Sequence, residues 1–175
     1  NKISKKTKLI IPVHLYGNPA DMIKITKIAK KRNIKIIEDC AQAHGATINK
    51  KQVGTFGEFG TFSFYPGKNL GAYGESGCVI TNSKKINNKI IKLRNWGQSK
   101  KHYHDEISYN YRMDGIQGAI LNVKLKKMNE WISKRRSVAK MYNELIDKSL
   151  LRSIEGEGNY HVYHIYSIFL KERDK

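Results

Sequence analysis

Proline and cysteine are scarce in this sequence, with three and two copies in 175 residues, and acidic residues number only 15 against 33 basic ones. Cys40 and Cys78 are too few and too far apart for a disulfide framework or a zinc site. His161 and His164, in "HVYH", have no cysteine pair to match them and sit in an aromatic, strand-like run, so packing is their expected role. No apolar run reaches the ~18 residues of a membrane span, and no secretory leader opens the sequence. These gaps lead to the expectation of a soluble, cytoplasmic chain with no membrane partner.

The deficit of acids leaves a formal charge of +18. Such an excess can mark a partner that carries phosphates, either nucleic acid or a nucleotide-bearing substrate. The lysines are scattered rather than blocked, as on ordinary solvated faces. RNP-type, C2H2 and basic-region patterns are all missing, so no nucleic-acid partner is expected. The alternative is a basic, non-catalytic fragment that docks on nucleic acid or another anionic partner.

What is present is the pattern of an α/β domain. "KLIIPVHLYG" reads as a buried strand closed by Gly17 and Pro19. "ADMIKITKIAKKRN" places Met22, Ile25, Ile28 and Ala29 on one helical face and offers Asn33 as a stop. "IKIIED" (Ile34 to Asp39) is a second strand, which makes a β-α-β unit and implies a parallel sheet. "GTFSFY" (Gly60 to Tyr65) and "GCVITN" read as further strands, and "SKKINNKIIKLRNWG" as a helix capped by Ser83 with Gly97 past its end. Leu121, Leu125, Met128 and Ile132, then Val138, Met141, Tyr142 and Leu145, predict one long or two successive helices to about Lys148. "YHVYHIYSIFL" is a strand pattern with no partner in view, and both ends look cut, so the chain is expected to be the middle of a larger protein.

In an open α/β sheet, ligands gather at the carboxyl ends of the strands. Asp39 ends the second strand, and Lys68 lies three residues beyond "GTFSFY", inside "TFSFYPGKNLGAYGESGCVIT". A lysine, a carboxylate, a hydroxyl at Ser63 and many small residues at one rim suit pyridoxal phosphate chemistry. The amine condenses with the aldehyde, the carboxylate keeps the ring nitrogen protonated, and hydroxyl and backbone donors hold the phosphate. Taken singly, Asp39 could be a helix cap or a surface carboxylate, and Lys68 a phosphate clamp. No P-loop or dinucleotide frame fits, since "PGKN" lacks the following Ser/Thr and "GAYGESG" spaces its glycines by three.

Four blocks, "HLYGNPADM", "IIEDCAQAHGA", "FSFYPGKNLGAYGESG" and "YNYRMDGIQGAIL", occur in one order between about Lys8 and Arg136 and together closely resemble the DegT/DnrJ/EryC1/StrS family of sugar aminotransferases. The resemblance implies a fold-type I pyridoxal 5'-phosphate enzyme of which this is the central part. The large domain is a mostly parallel sheet flanked by helices, with residues 1–127 belonging to it. Residues 128–175 would be a long connecting helix and the start of the small C-terminal domain. By the same resemblance Lys68 is the Schiff-base lysine, Asp39 faces the pyridinium nitrogen, Gln42 contacts the ring or its 3'-oxygen, and Ser63 binds the phosphate. Asn110 would reach the cofactor phosphate of a neighbouring subunit, which implies a homodimer with a shared site. The implied partners are a nucleotide-linked keto-sugar and an amino donor, glutamate. A branch of the family performs dehydration and carries His in place of the lysine, so Lys68 argues for transamination.

Some features depart from the family or keep plain readings. The N-terminal phosphate cup, a stacking aromatic and most of the small domain are missing, and Ser76 stands where glycine is common, so an inactive remnant is a further alternative. Trp96, Tyr109 and Tyr111 are expected to pack between sheet and helices. His102 and His104 either touch the substrate or lie in a solvated loop, and Arg112 either binds substrate phosphate or forms a structural ion pair.

Overall fold

The computed structural model describes residues 2–170. Leu9–Ile10 (β1) runs parallel to Lys35–Asp39 (β2), and the crossover between them is the helix Met22–Arg32 (α1). α1 starts where the Asp21 carboxylate accepts from the Lys24 N–H at 3.0 Å, and it stops where Asn33 turns left-handed at φ 51°. Met22, fully buried, packs with Ala29, Ile34, Ile36 and Ile48, and burial of one such side chain contributes about 2–3 kcal/mol. Ile28 departs from its expected place and is exposed. Six residues after Met22, it lies about 120° around the helix axis, off the buried stripe.

Thr47–Ile48 (β3) and Lys51–Gln52 (β4) form a hairpin whose turn residues Asn49 and Lys50 both have positive φ, 49° and 66°. That is the twist a two-residue hairpin turn requires. Phe59–Ser63 (β5) pairs parallel with β2, and Gly77–Ile80 (β6) pairs antiparallel with β5 at the edge. The order β1-β2-β5-β6 is the mostly parallel α/β sheet that the periodicity implies. β5 stops at Ser63, two residues sooner than the alternation suggests, as the chain turns toward Pro66, which has no N–H to give a ladder. Lys68 therefore stands five residues past the strand.

The first strand is shorter and more open than its sequence suggests. Pro12 interrupts the ladder after Ile10, and pairing resumes only at a bridge between Val13 and Asp39. Leu9, Ile11 and Val13 are exposed while Pro12 and His14 between and beside them are buried. With a period of two, the strand is covered on one face alone among the described residues.

Beyond the sheet, Lys84–Arg94 (α2) is capped by Ser83, whose hydroxyl accepts from the Ile86 N–H at 3.3 Å. A hairpin of Gln98–Lys100 (β7) and Tyr103–His104 (β8) follows, then two successive helices, Gly115–Leu125 (α3) and Met128–Leu145 (α4). Leu151–Arg152 (β9), Asn159–Tyr160 (β10) and Ile168–Phe169 (β11) complete the elements. The stretch read as one unpaired strand is thus two short strands, β10 against β3 and β11 against β9. Between them Tyr163, at φ 44°, breaks the extended run. The N–H groups of Val162 and His164 go instead to the carbonyls of Gly17 and Tyr16, at 3.0 and 2.9 Å. Among the described residues, no helix is long and apolar enough to cross a membrane.

Candidate active site

β2 and β5 are in register with Glu38 opposite Gly60 and Asp39 opposite Thr61. Paired residues of a parallel ladder share a face, and successive residues alternate. Asp39 and Ser63 therefore share one face of the sheet at its carboxyl end, while Glu38 and Phe62 belong to the other. Asp39 is half-buried, and its Oδ1 accepts from the Ala41 N–H at 3.0 Å. Its second oxygen has no hydrogen-bond partner among the described residues. Ser63 Oγ accepts from the Tyr65 N–H at 3.2 Å, which leaves its own proton to donate.

Lys68 is half-buried in the loop after β5, its N–H tied to the Tyr65 carbonyl at 2.9 Å. No carboxylate lies within ion-pair distance of its amine among the described residues. Two imidazoles stand near it. His44 is 3% exposed, with Phe62 and Phe64 ring centroids at 5.5 and 5.7 Å and neither ring nitrogen hydrogen-bonded. Burial, with the nearby His164 and Lys68, pushes its pKa down to about 4 against the pull of the Ser63 backbone. His164 is lowered as well, by burial first and then by the Lys68 and Arg135 charges. Both are neutral at pH 7.

Gln42, on the loop after β2, accepts at its Oε1 from the Tyr16 N–H at 2.6 Å, so its NH2 is the end left to donate. Asn110 is not brought to this group. It bridges Asn95 beyond α2, its Oδ1 accepts from the Arg112 N–H at 3.2 Å, and it hydrogen-bonds to none of the other four residues. The aromatics around it are not packed between sheet and helices as expected, since Tyr109 and Tyr111 are 68% and 65% exposed. Arg112 stacks 5.0 Å from the Trp96 ring and bonds to Asn95, and among the described residues it forms no structural ion pair. His104 Nδ1 bonds to the Trp96 carbonyl at 2.9 Å and closes the β7–β8 hairpin.

A sequence model of the DegT/DnrJ/EryC1/StrS aminotransferase family matches residues 1–175. The chain belongs to that family. A UDP-N-acetyl-3-dehydro-alpha-D-glucosamine 3-aminotransferase of Acidithiobacillus ferrooxidans is 44% identical over 173 residues, 98% of this chain and 47% of the relative. The crystal structure of S. venezuelae DesV in complex with a ketimine intermediate superposes with a TM-score of 0.94 at 34% identity, over 98% of this chain and 47% of that one. An E. coli GDP-4-keto-6-deoxy-D-mannose-3-dehydratase with bound hydrated PLP superposes at 0.84 with 28% identity, over 98% and 49%. The chain spans about half the length of the curated relatives it matches. These superpositions give the chain the α/β fold expected from its motifs.

Sequence reading passed over the group on the opposite face. Glu38 is fully buried, and its carboxylate accepts from His14 Nε2 at 3.1 Å and from the N–H groups of Gly54, Phe56 and Gly57 at 2.7–2.8 Å. Burial pushes its pKa up, but the His14 and backbone donors outweigh that and hold it below the usual carboxylate range. His14 Nδ1 accepts from the Ala20 N–H at 3.0 Å, so its proton is on Nε2. Cys40 completes a cluster with His14 and Glu38 within 4.8 Å, but burial raises its thiol pKa and both histidine nitrogens are engaged. This cluster is structural: it ties the 54–57 loop to the sheet. Only the alternation of "IIED" hinted that two adjacent acids would face opposite ways.

Proposed function

We propose that the protein to which this chain belongs is a pyridoxal 5'-phosphate-dependent aminotransferase that moves an amino group from glutamate to a nucleotide-linked keto-sugar in amino-sugar biosynthesis. The observation that carries the reading is the strand register: Asp39 and Ser63 share a face at the carboxyl ends of β2 and β5, with half-buried Lys68 on the loop that follows. The donor set fits the cofactor. Among the described residues, a carboxylate oxygen is free at Asp39, an amide NH2 at Gln42, a hydroxyl proton at Ser63 and an amine without a counter-ion at Lys68.

When bound, the cofactor supplies an electrophilic aldehyde and a ring that withdraws electrons. Lys68 Nζ would hold it covalently and, once released, deliver the proton that the sugar carbon gains along with the amine. Asp39 would keep the ring nitrogen protonated, Gln42 would donate to the ring oxygen, and Ser63 would donate to the phosphate. Asn110 would serve the site of a second copy, consistent with its having no hydrogen bond to the other four and with the exposed Tyr109 and Tyr111 beside it. The same reading puts the domain boundary at 127/128 and the enzyme in the cytoplasm. Among family members, a lysine rather than a histidine at position 68 favours transamination over dehydration.

Full-length protein mixed with pyridoxal phosphate should develop a cofactor absorbance band, and Lys68→Ala should abolish it. A wild-type protein that forms no band, yet binds arbitrary DNA with steep salt dependence, would replace this reading with the anion-docking one.

A further inference from the structure

Asn69 follows Lys68 in the chain and is 7% exposed. Both ends of its amide are taken by a segment more than ninety residues further on. Its Nδ2 donates to the Val162 carbonyl at 3.1 Å, and its Oδ1 lies 3.3 Å from His164 Nδ1. Because the amide oxygen can only accept, the His164 proton is on Nδ1. The segment 161–164 hangs as a strap from the first loop of the sheet: the Val162 N–H bonds to the Gly17 carbonyl at 3.0 Å and the His164 N–H to the Tyr16 carbonyl at 2.9 Å. Tyr16 is in turn held by Gln42.

Gly17 is what allows the strap to lie so close. Its φ is +89°, and a Cβ there would meet Val162 Cγ2 at 2.7 Å and the His164 nitrogen at 3.1 Å. Val162 is itself fully buried in the core formed by Cys40, Ala43, Val53 and Ile132, so the strap is anchored by apolar packing as well. One line of contacts therefore runs from Gln42 through Tyr16, His164 and Asn69 to the backbone of Lys68.

We propose that Asn69 and His164 are positioning residues for Lys68, and that the 161–164 strap sets where its amine stands relative to Gln42. The proposal rests on Lys68 being the cofactor lysine, as argued above. Neither residue belongs to the sheet that carries Asp39 and Ser63. The strap thus makes the geometry of the amine depend on the C-terminal part of the chain, and a loosened strap would let the 66–71 loop swing while the sheet stays intact.

The first test needs no cofactor. In full-length apoprotein, labelling of individual lysines with acetic anhydride, read by peptide mass, should show Lys68 reacting about tenfold faster in His164→Ala than in wild type, the factor that corresponds to one net hydrogen bond. The exposed Lys51 should be unchanged. His164→Asn places an amide donor where Nδ1 stood and should restore the wild-type rate. Equal Lys68 rates in wild type and His164→Ala, or no rescue by His164→Asn, would overturn the proposal. Wild-type hydrogen exchange covers the case of a variant that fails to fold. The amides of Lys68, Val162 and His164 should open together with one dependence on urea, and a Lys68 amide that opens independently of the strap counts against the idea. With pyridoxal phosphate added, the absorbance band should grow more slowly in His164→Ala and recover in His164→Asn. A band that Lys68→Ala leaves intact would instead refute the functional reading, while the labelling result still judges the strap.

Discussion

Glu38 and Asp39 are adjacent in one strand, carry the same charge and have opposite surroundings. Glu38 is sealed under the 54–57 loop with four hydrogen-bond donors, whereas Asp39 sits at the rim with one donor and an oxygen to spare. The two faces of the sheet repeat the contrast. On the Glu38 side lie buried Ile36 and Gly60, and on the Asp39 side Val13 and Val79 are 45% and 39% exposed. A carboxylate whose hydrogen-bonding capacity is filled by the fold holds the fold, and one left partly open is available to a ligand.

The sharpest test of that contrast is a pair of substitutions in the full-length protein. Asp39→Asn should lower the transamination rate roughly a thousandfold, the scale of losing one preorganised electrostatic contact, with the urea midpoint unchanged. Glu38→Gln should do the reverse, costing about 1–3 kcal/mol in urea unfolding because its NH2 would face the His14, Gly54, Phe56 and Gly57 donors and leave one of them without an acceptor. Equal stability losses for the two would erase the distinction.

Acid should act on the buried histidines next. His44 and His161 are pushed down to about 4, His161 by burial first, with the Arg136 charge adding to it and Glu155 and the Gly17 backbone opposing. Unfolded imidazoles titrate near 6.5, so between pH 6.5 and 4 the unfolded chain binds more protons and stability falls as pH falls. Each histidine accounts for roughly 2–3 kcal/mol over that window. Glu38, with its folded pKa lowered, adds a loss as pH drops below the unfolded carboxylate value. Urea midpoints measured from pH 7 to pH 4 should decline, and His44→Phe should flatten the slope.

Smaller effects follow from backbone contacts. Gly60→Ala would push a Cβ against Gly54, 2.9 Å from its carbonyl oxygen, and should cost about 1–3 kcal/mol, loosening the loop that serves Glu38. Ser83→Ala removes a cap far from either face and should cost about 1 kcal/mol without altering cofactor uptake.

Much of the fold was legible because its signals are local. The Ser83 cap, the Asn33 stop and the β-α-β period each rest on residues near the feature they produce. The rim positions of Asp39 and Lys68 followed from strand ends and from the rule that ligands gather there. The one-sided cover of β1, the pairing of β10 with β3 and the Asn69–His164 contact could not be read this way. Each depends on a partner far along the chain, and a run such as "YHVYHIYSIFL" has the same alternation whether it forms a ladder or a strap.

By itself, then, the sequence determined the strands of the main sheet, the helices, the ends of α1 and α2 and the four motif blocks that mark the family, because propensity, capping and periodicity act between near neighbours. The tertiary structure alone decided which acid is buried, where Asn110 lies and what holds the Lys68 loop, because burial and hydrogen-bond partners are set by segments that meet only when the chain is folded.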